Sequence, residues 1–212
     1  MLGGKRVLLA GVVTAASVLS ACSGSPAAGP SGSAAAPSGS AAGASPSVST
    51  SGPATESNPP GDIPDSQVYV SFTLPGGKVS VQVPEGWASS ISGATTSFTD
   101  KLNQIQVSAA STATAPTTTS VTATDVPSLQ RQVPRFAMGA VSSVARQAGP
   151  AILVTYQGDS PPNPVTGKVV RDAFERYVFF RAGTRVDLTL SGPTNADNVD
   201  PWRKVTDSLR WQ

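Results

Sequence analysis

The chain has 212 residues, with 15 Lys and Arg against 13 Asp and Glu, a single cysteine and no histidine. This near balance of charge argues against a nucleic-acid partner. The lack of histidine removes the commonest general base and the commonest metal ligand, so we expect neither a metal nor another cofactor. One cysteine allows no intramolecular disulfide, and a folded domain must therefore be held by its apolar core.

The amino terminus is built like an export signal. Lys5 and Arg6 precede an apolar stretch, residues 7–19, that is too short to cross a bilayer, and small residues follow. The tetrapeptide Leu19–Ser20–Ala21–Cys22 resembles the bacterial lipobox, in which the cysteine thiol carries a diacylglycerol before cleavage. The resemblance implies a lipoprotein signal peptide, residues 1–21, and a mature protein anchored through acylated Cys22. The alternative is an ordinary cleavable signal followed by a free thiol.

Acylation would place the protein on the extracytoplasmic face of the cell membrane, since two acyl chains suffice for stable anchoring. Loss of Lys5 and Arg6 with the signal leaves 13 basic residues against 13 acidic ones. Because that charge is balanced, we expect no broad electrostatic adhesion to anionic lipid and take the anchor as the membrane contact.

Residues 22–61 form the predicted tether. The stretch after Cys22 consists almost wholly of Ser, Ala, Gly, Pro and Thr, with Glu56 as its only charge and Val48 as its only large aliphatic residue. Such a composition cannot bury enough apolar surface to offset the entropy lost on ordering. We predict a disordered spacer, with a glycosylated stalk as the alternative.

Short alternating runs after the tether predict two pairs of antiparallel strands. Residues 68–74 and 79–83 alternate apolar with polar side chains around a Pro-Gly-Gly turn, which is typical of a hairpin. Residues 95–100 and 104–111 predict two further strands, and residues 112–120 predict a loop.

A helix is predicted next, with Thr124 as its N-cap candidate and Asp125 and Pro127 near its first turn. Pro134 should end this helix. Two strands, residues 139–147 and 151–157, then form a hairpin.

A loop rich in proline and glycine, residues 158–167, separates that hairpin from the next strand pair. Residues 169–181 and 185–191 form this last pair, the second strand alternating strictly.

The chain closes with a predicted amphipathic helix. Asp200 suits its N-cap and Pro201 its first helical position. Val199, Trp202, Val205 or Thr206, and Leu209 recur at three- and four-residue spacing, so one stripe should lie on a sheet. Helices on an antiparallel sheet predict an α+β domain spanning residues 62–212.

Three short phrases resemble the PsbP/Mog1-like family, and within it the actinobacterial lipoproteins of the LpqN type. They are Pro84–Glu85–Gly86–Trp87 after a strand, Gly167–Lys168 before a long strand, and the ending from Trp202 to Trp211. The aromatic residues Tyr177, Phe179 and Phe180 and the phrase Asn195–Ala196–Asp197–Asn198 extend the match. The resemblance implies a curved antiparallel sheet with packed helices, used for binding or assembly and not as an enzyme. It carries over no catalytic residue.

Tryptophan offers two interpretations. Trp87, Trp202 and Trp211 could form a platform for stacking sugars or acyl chains, since the indole presents a large flat face. Packing of a helix on the sheet is the interpretation that we favour.

The proline-rich loop is the first candidate recognition site, because prolines lower the entropy lost on docking and loops on rigid sheets often carry recognition. The arginines of the following strands suit phosphate or carboxylate groups. The alternative for these arginines is a solvated face with cross-strand ion pairs to Asp172 and Asp187. The candidate ligand- or partner-binding residues are Asp159, Asn163, Val165, Lys168, Arg171 and Arg176.

Function is predicted as non-catalytic binding of an envelope partner, either a protein complex or a wall or lipid component. A small-ligand or lipid carrier is one alternative, and it predicts a deep apolar cavity under the final helix. A hydrolase or transferase acting on envelope glycans or lipids is the other, and it needs clustered carboxylates or a Ser-Lys pair. Asp172 and Glu175 do not supply the carboxylates, since side chains three residues apart in a strand point to opposite faces.

Overall fold

The computed structural model describes residues 59–163 and 165–212. The predicted signal peptide, Cys22 and nearly all of the predicted tether lie outside these residues. The described chain is an α+β domain of ten strands and two helices. The strands are β1 (Tyr69–Thr73), β2 (Val79–Pro84), β3 (Ala88–Ser92), β4 (Thr95–Asp100), β5 (Asn103–Ser111), β6 (Ala137–Arg146), β7 (Gly149–Asp159), β8 (Arg171–Arg181), β9 (Thr184–Pro193) and β10 (Arg210–Trp211), and the helices are α1 (Thr118–Gln132) and α2 (Val199–Asp207).

Seven strands make one antiparallel sheet in the order β3-β4-β5-β9-β8-β7-β6, and the other three make a small antiparallel sheet in the order β1-β2-β10. Most neighbours in the large sheet follow one another in the chain and are joined by hairpin turns. The exception is the pairing of β5 with β9, which leaves β6 at the far edge. The chain must therefore cross the sheet between β5 and β6, and α1 makes that crossing.

One face of the large sheet carries the main core. Side chains such as Tyr177, Phe179 and Leu188 project from it and are buried together with Val79 and Val81 of the small sheet and with residues of α2. Burial of each large apolar side chain contributes roughly 1.5–3 kcal/mol.

A second, smaller cluster lies on the opposite face, beneath α1. Val121, Val126 and Leu129 of the helix pack with Ile152, Val154, Tyr156 and Val178 of the sheet. Ile152, Val154 and Tyr156 share one face of β7, as the alternation predicts. The α+β class with antiparallel sheets and packed helices is thus as the sequence indicates.

The predicted start of the first helix at Thr124 is wrong. The N-cap lies seven residues earlier than predicted, at Thr117, so the helix begins at Thr118 and residues 118–120 are not loop. Thr117 is the N-cap: its Oγ1 accepts from the Ser120 N–H (3.0 Å), and the Ser120 Oγ accepts from the Thr117 N–H (2.8 Å). This reciprocal capping box satisfies two helix-end donors. Pro127 consequently lies inside the helix and not in its first turn. The end before Pro134 is confirmed.

The predicted cap of the final helix is also wrong. The N-cap is Asn198, and Asp200 lies in the first turn, where its charge favours the helix N-terminus. Val199 is 71% exposed and does not belong to the apolar stripe, whereas Trp202, Val205 and Leu209 are buried as predicted. Neither helix among the described residues is long and apolar enough to cross a bilayer.

Candidate ligand-binding pocket

The loop between β7 and β8, residues 160–170, has a defined shape over the residues that the structure describes, 160–163 and 165–170. At its neck, the Ser160 N–H donates to the Val170 carbonyl (2.8 Å) and the Val170 N–H donates to the Ser160 Oγ (3.0 Å). Farther out, the Asn163 Oδ1 accepts hydrogen bonds from the backbone N–H groups of Val165 (3.0 Å) and Thr166 (2.9 Å). Asparagine side chains that bond to their own following backbone stabilise turns, so Asn163 holds the tip of the loop in place.

The base of the loop is fastened by charge. Asp159 pairs with Arg171 (3.5 Å) and Arg135 (3.6 Å), and the Arg171 guanidinium also donates to the Arg135 carbonyl (2.6 Å). The Asp159 N–H donates to the Pro134 carbonyl (2.8 Å). These contacts tie the end of β7 to the segment after α1. The predicted binding residues Asp159 and Arg171 therefore have a structural role at the neck.

A pocket of about 470 Å³ lies under this loop. Its floor is one row of the sheet, in which Gln104 stands opposite Ser191 and Ser191 opposite Phe174. The β4–β5 turn and the strand ends that flank it form a wall, through Thr99, Lys101, Leu102 and Asn103. The loop itself forms the roof. The row belongs to the face that carries the α1 cluster, because Phe174 and Val178 have the same parity along β8 and both pack with that cluster. The pocket is therefore the part of this face that the loop covers in place of α1.

Asp172 lines the pocket beside this row. Its side chain is nearly inaccessible, with the residue 5% exposed, and no donor among the described residues meets its Oδ1. The register places it between Gly158 and Pro193, neither of which has a side chain that can donate. Burial, together with the smaller effect of the negative charge of Asp159, raises the pKa of the Asp172 carboxyl to about 6. Buried polar groups are normally hydrogen-bonded, so a buried carboxyl oxygen without a donor needs an explanation.

The six predicted site residues are divided among four places. Asn163 and Lys168 line the pocket. Val165 is 90% exposed near the tip of the loop, and Asp159 and Arg171 fasten the neck. Arg176 lies apart from the loop contacts: its guanidinium donates to the Thr189 Oγ1 (3.1 Å) and pairs with Asp187 (3.1 Å).

The arginines do not form a free anion site. Arg185 shares Asp187 with Arg176 and also pairs with Asp125 of α1, so these charges join the helix to the sheet. The predicted ion pairs to Asp187 are confirmed. The predicted ion pair to Asp172 is wrong, because the register puts no arginine opposite that residue.

Pocket residues on other elements went unrecognised in the sequence. Lys101, Leu102, Gln104, Phe174 and Ser191 come from three separate strands and one turn, and only strand register brings them together. No comparable signal marked Asp172, because the even-numbered and the odd-numbered residues that follow it along β8 each mix apolar side chains with charged ones, such as Arg176 and Glu175 respectively.

The cavity predicted under the final helix is not found among the described residues. Trp202, Val205 and Leu209 fill the space between α2 and the small sheet. A groove beside α2 is polar, lined by residues such as Asp200, Arg203 and Asp207. The tryptophan platform is also absent in the described fold, since Trp202 is buried and Trp87 and Trp211 pack against the core, as the favoured interpretation predicts.

No protein-family model matches the sequence, and no curated protein matches it. Solved structures do match. The chain is similar to the Ran-binding protein Mog1p of Saccharomyces cerevisiae, at 11% identity and a TM-score of 0.48, over 69% of this chain and 96% of that one. It is also similar to cyanobacterial PsbP (CyanoP) from Synechocystis sp. PCC 6803, at 12% identity and a TM-score of 0.47, over 72% and 98%.

A third similar structure is LpqN of Mycobacterium tuberculosis, involved in cell envelope biogenesis, at 11% identity and a TM-score of 0.39, over 68% of this chain and 91% of that one. The chain is also similar to a protein from Bacteroides thetaiotaomicron VPI-5482, at 11% identity and a TM-score of 0.49. That match covers 67% of this chain and 48%, about half, of the Bacteroides protein. The solved structures similar to this chain thus include the PsbP, Mog1 and LpqN folds of the sequence resemblance. At such identities a shared ligand or partner does not follow.

Proposed function

We propose that this chain is a lipid-anchored extracytoplasmic protein whose domain, residues 62–212, is a non-catalytic binding module. Its recognition site is the pocket under the 160–170 loop, and its partner is a component of the cell envelope. The observation that carries the proposal is the buried, unpartnered carboxyl of Asp172 in a roofed pocket of about 470 Å³. A polar group left without a partner destabilises the fold, and ligand sites are where such groups are retained.

The chemistry around Asp172 favours binding over catalysis. Glu175, the nearest carboxylate along β8, points to the opposite face, where it accepts a hydrogen bond from the Tyr177 hydroxyl (2.7 Å). The Ser160 hydroxyl at the loop neck donates to the Pro161 carbonyl (3.1 Å) and accepts from the Val170 N–H, so it shapes the loop. With no histidine in the chain, neither group has the usual base beside it.

The tether that we predict over residues 22–61 would suit such a module, since a flexible coil of that length spans roughly 34 Å. Replacement of Cys22 by Ala is expected to move the protein from the membrane fraction to the medium, with loss of labelling by a fatty-acid probe. Unchanged fractionation and labelling would refute the anchor without bearing on the pocket.

The pocket itself is tested by filling it. Gln104 lies on its floor, and Gln106 is the next residue on the same face of β5 but does not line it. Gln104→Trp should block the pocket, and Gln106→Trp is the matched control for the same bulky change on the same strand.

Each variant and the native full-length chain would be purified from envelope extracts, and the co-purifying proteins and small molecules quantified by mass spectrometry. We expect an envelope component that is retained by the native chain and the Gln106 variant and is lost from the Gln104 variant. Equal retention by both tryptophan variants would refute the pocket as the recognition site.

A further inference from the structure

We propose that the pocket takes a small zwitterion, which places an ammonium group on Asp172 and an anionic group near Lys101 and Lys168 at the mouth. This inference rests on the proposed binding function and names the chemical class of its ligand. It follows from a buried carboxyl without a donor among the described residues and two exposed lysines that line the same pocket.

The Asp172 carboxyl on the floor of the pocket lacks a hydrogen-bond donor within the described part of the chain. The Asp172 Oδ1 has no hydrogen-bond partner among the described residues, although the residue is only 5% exposed. Arg171 cannot serve, because adjacent residues in a strand point to opposite faces and its guanidinium is held by Asp159 and the Arg135 carbonyl. An ammonium group can supply up to three donors and the opposite charge, and hydrogen bonds between charged groups are about twice as strong as neutral ones.

The middle of the pocket suits a short apolar stem. Phe174 lies beside Asp172 on the floor, and its ring is held by stacking on Tyr156, with 4.6 Å between centroids and 6° between planes. Ser191 adds a small side chain next to it. A fixed aromatic face accepts methylene groups and also attracts a cation, so both parts of an aminoalkyl group fit here.

The mouth is positively charged. Lys101 stands on the β4–β5 turn with a side chain 81% exposed, and its contact with Asp100 is long, at 3.9 Å. Lys168 is exposed on the loop and makes no ion pair with the described residues. A simple cation would be repelled by these lysines, whereas an anionic group trailing the ammonium would be attracted. The charge order therefore favours a zwitterion over an amine alone.

Size agrees with a small ligand. A pocket of about 470 Å³ lies toward the lower end of the roughly 300–1,000 Å³ typical of small-molecule sites. The roof is closed at its neck by the Ser160–Val170 hydrogen bonds. An amino acid or a comparable amino-carboxylate fits this description.

The test uses three matched probes on the purified full-length chain, measured by isothermal titration calorimetry near neutral pH. γ-Aminobutyrate carries both charges, butylamine only the cation, and butyrate only the anion. We expect one saturable site for γ-aminobutyrate, weaker binding of butylamine and no binding of butyrate. Asp172→Asn should weaken γ-aminobutyrate roughly 10- to 100-fold, the loss expected for one hydrogen bond to a charged group. Lys168→Ala should bring γ-aminobutyrate close to butylamine.

Glu85→Gln, which removes an exposed carboxyl outside the pocket, is the control and should bind as the native chain does. Thermal melting of each variant checks that it is folded. Equal binding by the native chain and Asp172→Asn, or no binding of γ-aminobutyrate, would overturn the inference. Binding of butyrate in preference to the amine would overturn the ligand class while leaving the binding function intact, and the Gln104→Trp result decides the latter separately.

Discussion

Asp172→Asn should make the stability of the protein relative to the native chain increase as the pH rises to neutral, although it removes the group that we assign to ligand binding. The folded state raises the pKa of this carboxyl from an ordinary 3.8 to about 6, so it holds the proton more tightly than the unfolded chain does. This difference in pKa corresponds to about 3 kcal/mol in the free energy of unfolding. The native protein has this stability at low pH and loses it as the pH rises through about 6, because the carboxylate must then be charged in a buried site.

The assay is chemical or thermal unfolding of the native and Asp172→Asn chains at several pH values. An asparagine does not titrate, so the variant should not lose stability in this way as the pH rises. Its stability relative to the native chain should increase by about 2 kcal/mol between about pH 4 and about pH 7. For a domain of this size that is a gain of roughly 4–8 °C in relative Tm. The comparison across pH cancels any constant effect of the amide on packing.

Other charges near Asp172 do not imitate this result. Asp159 is paired with two arginines, Arg135 and Arg171. Glu85→Gln, an exposed change, should show no comparable trend. A stability difference between native and Asp172→Asn chains that stays constant with pH would refute the reasoning, because it would mean that the carboxyl is solvated or already paired.

Three further outcomes are expected. Gly158→Ala should lower the free energy of unfolding by about 1–3 kcal/mol, since a Cβ there would collide with the Val133 side chain at the end of α1. Adding Val133→Ala should recover part of that loss, as measured by urea unfolding. Asp187→Asn should lower the free energy of unfolding by about 1–3 kcal/mol, because it leaves the partly buried Arg176 and Arg185 without their shared carboxylate. Asp100→Asn, which removes an exposed ion pair, should change that free energy by less than about 0.5 kcal/mol. Affinity for γ-aminobutyrate should fall roughly tenfold from about pH 7 to about pH 5 as Asp172 takes up its proton, and calorimetry that finds no change would contradict this.

Most strands and helices could be predicted from short stretches of sequence, because residue alternation and proline geometry act over only a few neighbouring residues. Alternation in β2 and β9, and the shared face of Ile152, Val154 and Tyr156 in β7, indicate strands, and Pro134 ends α1 by the geometry of the residue before it. β3 escaped prediction because its side chains are all exposed and show no apolar alternation. The start of α1 was misplaced because Pro127 reads as a first-turn proline, whereas the Thr117–Ser120 capping box lies farther upstream.

The candidate site was only half predictable for the same reason. Asn163 and Lys168 were found from the composition of one loop, which is a local property. Their partners Gln104, Phe174 and Ser191 come from β5, β8 and β9, and only the register of the sheet places them in one row. Arg176 shows the opposite error, because a basic residue near the loop in the chain is bound by Asp187 in the fold.

The amino-acid sequence by itself determined the balance of charge, the absence of histidine, the strand periods and the apolar stripe of the last helix. These are properties of composition and of short spacings, and they survive without knowledge of distant contacts. Only the tertiary structure decided that Asp172 stands between a glycine and a proline, under a loop, with no donor at its Oδ1. The physical reason is that burial and pairing depend on which strands become neighbours, and residues far apart in the chain set that.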